Sequence, residues 1–300
     1  LYGGTTSALG FKSEGTNFTG SLLIGHSTTG TISSAENNVG VGIDALDALT
    51  TGDSNVAIGN LAGSAITEGA SNILIGRAAG DALTTGNGNI AVGHFALSAE
   101  DTHGRNVAIG TEALKVQNAG AQAYNIAIGY QAGVAVSTGT HNVLLGGLAG
   151  DALTTGSANI AIGYEALSTE DGHSQNVAIG YQALKMLDAG TAGLNVAVGH
   201  QAGTAMTTGN QNTLIGGLAG DAITTGSNNT AIGYQALSAE DTGGRNVAIG
   251  DFALLSQDVH ALTYNVAIGY EAGKSVSTGT ENVFLGGLAG DALTIGKHNI

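Results

Sequence analysis

Cysteine is absent from all 300 residues, which removes both a disulfide framework and a thiolate metal site and leaves the compartment open. Proline and tryptophan are missing as well. Basic residues are scarce: 8 Lys plus Arg stand against 23 Asp plus Glu, a formal net charge of -15. A phosphate backbone is held by clustered Lys and Arg, so nucleic acid is excluded as a partner. A bilayer span needs an apolar run of about 18 residues or more. Asn, Thr and Gly interrupt every apolar segment first, so no membrane insertion is expected.

What the chain has is repetition. Asn-Val-Ala-Ile-Gly or a close variant opens at Asn38, Asn55, Asn72, Asn89 and Asn106 and recurs to Asn299, usually 17 residues after the previous copy. Each unit places short strand-like pieces between Gly-bearing turns, and Gly costs about 1 kcal/mol against Ala inside a helix, so a helical repeat competes poorly. The pattern predicts an all-β chain, a parallel β-solenoid or β-roll with one coil per repeat and two strand-like pieces in each coil. The coils opening at Asn106, Asn176 and Asn246 hold 19 residues, so every fourth coil is long and a second period of four coils overlies the first. Residues 38–300 form the regular solenoid. Residues 1–37 are degenerate lead-in coils, with Ser21-Leu22-Leu23-Ile24-Gly25 in register and Ser21 in the Asn place. From the start at Leu1 without Met and the stop inside a fresh repeat, a fragment of a longer chain is the expectation.

Residues two apart on a strand share a face. Val56 with Ile58, and Val177 with Ile179, are therefore expected to point together into the coil. The residue between them, Ala57, Ala127 or Ala178, enlarged to Leu74, Leu144, Leu214 and Phe284 in every fourth coil, is expected to face outward. That outward row is uncharged, and a continuous apolar stripe marks an interface. A homo-oligomer packed along it is the reading, with Asn125, Ala127, Gly129, Ala132, Leu144, Asn176, Ala178, Gly180, Ala183, Leu214 and Phe284 as structural or interface positions. The leading Asn is expected to bond its own turn and the Asn one coil away. The Gly after the strand suits positive φ or close backbone approach.

Motifs with chemistry are few. Gly40-Val41-Gly42-Ile43-Asp44-Ala45 fits a dinucleotide pattern but has no helix after it. Gly146-Gly147-Leu148-Ala149-Gly150-Asp151 approximates a calcium nonapeptide, yet it recurs only once in four coils, so the neighbouring half-site is missing. The acidic pairs Glu100-Asp101, Glu170-Asp171 and Glu240-Asp241 are read as a solvated edge, with weak calcium occupancy as the alternative. His103 and His173 follow two of them, and Gly243 takes that place in the third. Tyr130, Tyr164, Tyr181, Tyr234 and Tyr270, replaced by His94 and His200, form a regular aromatic position over the turn, a second-place candidate for stacking on sugars. Thr-Thr pairs at Thr50, Thr84, Thr154, Thr207 and Thr224 raise an ice-binding alternative, but the ladder is broken. No catalytic residue and no cofactor is expected.

The units Asn125–Ala132 and Asn176–Ala183, Asn-Ile/Val-Ala-Ile-Gly-Tyr-Gln-Ala, resemble the head repeats of trimeric autotransporter adhesins and, more closely, the repeats of phage tail fibres. Asn17-Phe18-Thr19-Gly20 leading into Ser21–Gly25 adds to the second likeness. The resemblance implies a left-handed parallel β-roll, three chains around one axis, on a virion or otherwise extracellular, serving as a stalk or host-binding fibre. It supplies no catalytic residues. The adhesin heads use shorter repeats, so the added residues here bear on trimer packing. The expectation is a structural fibre segment, not an enzyme, that spaces or presents a binding tip. Its partners are further copies of itself and, in second place, a surface glycan or cell-surface receptor. A bacterial surface adhesin head is the alternative.

Overall fold

A computed structural model describes residues 11–15, 18–25, 33–188 and 193–300. Strands and turns, and no helix, make up the described residues. Two compact units divide the chain, Leu1–Thr140 and His141–Ile300. In the first, β1 (Phe11–Gly15) runs antiparallel to β2 (Phe18–Ile24). Six strands then stack on β2, all parallel: β3 (Val39–Val41), β4 (Val56–Ile58), β5 (Ile73–Ile75), β6 (Ile90–Val92), β7 (Val107–Ile109) and β8 (Ile126–Ile128). Nine parallel strands stack in the second: β9 (Val143–Leu145), β10 (Ile160–Ile162), β11 (Val177–Ile179), β12 (Val196–Val198), β13 (Thr213–Ile215), β14 (Thr230–Ile232), β15 (Val247–Ile249), β16 (Val266–Ile268) and β17 (Val283–Leu285). Register does not slip among these parallel pairs, since Leu22 pairs with Val39, Val39 with Val56, and Val177 with Val196. The chain is a β-solenoid with one coil of about 17 residues per repeat. The lead-in residues 1–10, 16–17 and 26–32 lie outside the described set.

Each coil carries one strand, not the two expected. The second apolar piece is a train of turns, because positive φ recurs within it: Leu61 at 60° and Gly63 at 56°, or Glu165 at 52° and Leu167 at 54°. Left-handed residues at alternate positions bend the backbone too sharply for a strand. Coil-to-coil bonding nonetheless runs right round the circumference. Beside the strand, Val56 N–H donates to Asn72 O at 2.8 Å and Gly59 N–H to Val41 O at 2.8 Å. In the turns, Leu61 N–H reaches Ile43 O, Gly63 N–H reaches Ala79 O, and Gly69 N–H reaches Thr84 O.

The leading Asn closes the coil. Asn229 N–H donates to Asn212 Oδ1 at 2.9 Å, while Asn212 Nδ2 donates to Gly226 O in its own coil at 2.9 Å. The same ladder runs from Ser21 Oγ through Asn38, Asn55, Asn72 and Asn89 in the first unit. Each of these Asn residues is buried, so its bonds are made without water competing. The Gly that ends each strand is needed for room as well as angle. At Gly180, φ is 136° and a Cβ would sit 2.2 Å from Gly199 O in the next coil.

The inside-out assignment from the sequence is reversed. Ala127, Ala178, Leu144 and Leu214 are fully buried and Phe284 is 6% exposed, whereas Ile58 and Ile128 are each 40% exposed. Ala132, Ala183, Asn125 and Asn176 are buried too, and Gly129 and Gly180 are half-buried, so the proposed interface set lines the coil interior and its edge. Coil width explains the inversion. A coil this short encloses little space, and turn residues such as Leu46 and Leu49 already reach into it. Beside them the strand centre has room only for a small side chain.

The four-coil period is a packing exchange. Where the strand centre is Leu214, the ninth residue of the same coil is Gly220 and of the preceding coil Gly203; a Cβ on either would lie 2.8 Å and 2.7 Å from Leu214 methyls. Where the centre is Ala161 or Ala231, the ninth residue is Leu167 or Leu237, buried at positive φ. Left-handed backbone at a non-Gly residue costs on the order of 1 kcal/mol or more, which burying a Leu at about 1.5–3 kcal/mol offsets.

Leu214→Ala is expected to destabilise the fold by about 2–5 kcal/mol, the range for a Leu truncation that leaves a cavity. Gly220→Leu should be strongly destabilising beside Leu214 and partly restorative in the Leu214→Ala background, read as melting midpoints in a double-mutant cycle. Additive losses would contradict the exchange. Asn212→Ala orphans Asn229 N–H and Gly226 O, and at about 1–3 kcal/mol per orphaned buried group a loss of roughly 2–6 kcal/mol is expected in chemical denaturation.

Candidate functional site

The acidic pairs are not a solvated edge. In most coils the twelfth residue points inward and is apolar, as Leu49, Ile66 and Leu83 are. Glu100, Glu170 and Glu240 occupy that slot and are completely buried, while Asp101, Asp171 and Asp241 point outward. A bonding defect explains the Glu. In plain coils the amide three residues on donates to the next coil, as Gly52 does to Thr67 O and Gly226 to Asp241 O. The coil after each Glu is one of the long ones. There the Glu carboxylate takes over as acceptor: His103 N–H donates to Glu100 Oε1 at 3.1 Å, His173 N–H to Glu170 Oε1 at 2.9 Å and Gly243 N–H to Glu240 Oε1 at 2.7 Å. The coil following Glu100 or Glu240 places Gln117 or Gln257 in the slot, buried and accepting from Asn125 or Asn265 Nδ2, whereas the coil following Glu170 places buried Leu187 there.

Burial raises two of these carboxyls. Desolvation lifts Glu100 above its ordinary range and pushes Glu240 up to about 7, against a lowering by the amides of His103 and Gly243. Outside the coil each junction gathers further ligating atoms. His173 Nδ1 lies 2.6 Å from Glu170 Oε1, 3.6 Å from Asp188 Oδ1 and 4.0 Å from Asp171 Oδ1. At the first junction His103 Nδ1 is 3.6 Å from Glu100 Oε1. The third lacks a His at Gly243 but receives His260 from the next coil, 3.0 Å from Asp241 Oδ1, with Asp258 close by. The sequence reading missed Asp188, Asp258 and His260. The signal that finds His260 is its distance from Asp241, the length of one long coil.

Part of the aromatic position forms a column. Tyr164, Tyr181 and His200 stack at centroid separations of 5.9 Å and 5.3 Å with planes 16° and 10° apart. Their faces are used on one another and their edges meet solvent, which leaves little π surface for a sugar ring. Thr hydroxyls are similarly engaged: Thr50 Oγ1 donates to Thr67 O, Thr84 Oγ1 to Asp101 O and Thr224 Oγ1 to Asp241 O.

A further surface is the outer face of the strands. Each strand from β3 onward offers two side chains there, among them Val56 and Ile58, Ile73 and Ile75, Ile126 and Ile128, Val177 and Ile179, Val266 and Ile268. All are half-buried or exposed, and none of the residues in these positions is charged. Water thus meets two parallel uncharged ranks in each unit, aliphatic but for Thr213 and Thr230 in the second. Among the described residues no helix is long and apolar enough to cross a membrane. Comparison with protein-family models, curated proteins and solved structures gives no match.

Glu240 supplies a pH prediction. Its folded-state pKa of about 7 lies above the ordinary 4.5, so the folded chain holds the proton more tightly between those values. Stability is then greatest below pH 4.5 as far as this group is concerned and falls as pH rises through 7, by roughly 3 kcal/mol at 1.36 kcal/mol per unit. Glu240→Gln, which keeps an oxygen for Gly243 N–H, should flatten the decline in melting midpoint between pH 5 and pH 8, shallow slopes identical in both chains being the contrary result.

Proposed function

We propose that the chain is a segment of an extracellular fibre, on a virion or a cell surface, in which identical copies associate through the outer face of the strands and hold a binding tip away from their base. The observation that carries this reading is the pair of uncharged ranks facing water on every regular coil, aliphatic except at Thr213 and Thr230. A monomer would keep that surface exposed, and contiguous apolar patches of such extent are rare on soluble monomers. The area is sufficient. A specific interface uses about 20–30 residues a side, and the fifteen strands β3 to β17 offer two each. At about 4.8 Å per strand the face of the second unit extends for roughly 38 Å.

Three copies around one axis is the preferred arrangement, on the likeness of the repeats to those of phage tail fibres and trimeric adhesin heads. A trimer turns each ladder toward the axis and leaves the acidic junctions and aromatic column outside. A bacterial adhesin head uses the same assembly, and a flanking tail-attachment or membrane-anchor segment separates the two. Glycan or receptor binding is assigned to the tip in preference to the coils, because Tyr164, Tyr181 and His200 stack on one another. The ice-binding reading is weakened by Thr hydroxyls that bond carbonyls of the next coil.

Light scattering on the purified chain is expected to give three times the 29.4 kDa chain mass. Val177→Asp with Ile179→Asp should yield a folded monomer with unchanged circular dichroism. Ala178→Asp, aimed into the coil, should instead lower the melting midpoint sharply. A wild-type monomer, or an oligomer indifferent to the outward pair, would overturn the assignment of this face.

A further inference from the structure

We propose that the long coils opening at Asn106 and Asn246 each bind one internal water molecule, which accepts from the Asn carboxamide and donates to the buried Glu carboxylate of the preceding coil. The observation behind it is a pair of orphaned groups that recur together. Asn106 Nδ2 and Glu100 Oε2 are buried without a hydrogen bond, and so are Asn246 Nδ2 and Glu240 Oε2. All four residues are wholly inside the coil. A buried donor and a buried acceptor left open at one junction call for a shared partner.

Register puts the two orphans side by side. Elsewhere the twelfth residue of a coil lies against the leading Asn of the next. Gln117 Oε1 accepts from Asn125 Nδ2 at 2.6 Å, Gln257 Oε1 accepts from Asn265 Nδ2 at 2.7 Å, and Met206 Sδ is 3.8 Å from Asn212 Nδ2. Glu100 and Asn106 hold these same two places, as do Glu240 and Asn246. Glu is as long as Gln, yet the direct bond does not form, because Oε1 is drawn to the amide three residues on, His103 or Gly243. The Asn has lost its usual acceptor as well. In a plain coil Nδ2 donates to the fifteenth residue, as Asn212 does to Gly226 O at 2.9 Å and Asn229 to Gly243 O at 3.0 Å. Two added residues displace that carbonyl in the long coils.

The two groups select the ligand. The carboxamide hydrogens repel a cation and the carboxylate repels an anion, whereas a water molecule both accepts and donates, and two polar partners meet its minimum. The water stands in for the missing carbonyl, so the coil takes in two extra residues without leaving its Asn open. Asn176 Nδ2 repeats the orphaned donor in the long coil between them, but the Glu170 carboxylate there is engaged by the His173 ring. That junction lies outside the proposal.

Two measurements on the full chain test it. A crystal structure that resolves ordered water should show one peak at about 2.5–3.2 Å from both Asn106 Nδ2 and Glu100 Oε2, and another between Asn246 and Glu240. No such peak should lie between Ile66 and Asn72 of plain coils. In solution, water-to-carboxamide cross-relaxation by NMR should give signals at the side-chain amides of Asn106 and Asn246 and none at Asn72 or Asn212. Glu240→Met, which brings in the side chain natural to this slot at Met206, should abolish the Asn246 signal and leave that of Asn106. Should the variant misfold, the density and the signals of the unmodified chain decide. Direct Nδ2 to Oε2 bonding, an anomalous scatterer at the site, junctions without density, or an Asn246 signal that persists in folded Glu240→Met would overturn the proposal.

Discussion

In-register bonding of one coil to the next is the constraint from which the remaining features follow. Because every coil must present its amides and carbonyls at matching heights, the chain needs a residue that fixes the start of each coil and one that lets neighbouring backbones approach. Asn does the first by bonding the following Asn amide and its own turn carbonyl, as Asn212 does with Asn229 and Gly226. Gly does the second, since a Cβ at Gly180 would collide with Gly199 O. Side chains then have two environments only, a narrow interior and a long outer surface. Interior volume is shared between the strand and the turns, and the exchange of Leu214 against Gly203 and Gly220 is one solution.

The long coils disturb this bonding locally, and the buried acids answer the disturbance. Two added residues displace the carbonyl that the preceding coil would have used, so His103, His173 and Gly243 amides turn to a Glu of their own coil. The same insertion leaves Asn106, Asn176 and Asn246 Nδ2 buried without a hydrogen bond. A carboxyl inside the coil raises its own pKa by desolvation and gathers further acids and a histidine at the rim. Structural repair and clustered polar groups therefore coincide at the junctions, whereas the plain coils contribute only a surface.

Much of the fold was legible from spacing. The regular recurrence of Asn and Gly gives the coil and its register, and the alternation in Val56-Ala57-Ile58 gives a strand with two faces. Alternation is symmetric, however, and does not say which face is inside. Size suggested the aliphatic pair; the small cross-section of the coil decided for Ala57. The acids were misread for a different reason. Glu100-Asp101-Thr102 looks like a polar loop along the chain, and only alignment of the repeats places Glu100 in the slot of Leu49, Ile66 and Leu83. Contributions from the following coil, Asp188 and His260, could be seen only by counting one coil length forward.

Amide hydrogen exchange resolved to single residues bears most directly on the claim that coils are bonded around their whole circumference. Slow exchange is expected at the leading Asn and the strand Gly of each coil. It is expected equally at turn amides such as Gly63, Gly69 and Gly209, which donate to the adjacent coil far from any strand. Protection confined to the three strand residues of each repeat, with those turn amides exchanging at the rate of free peptide, would contradict it.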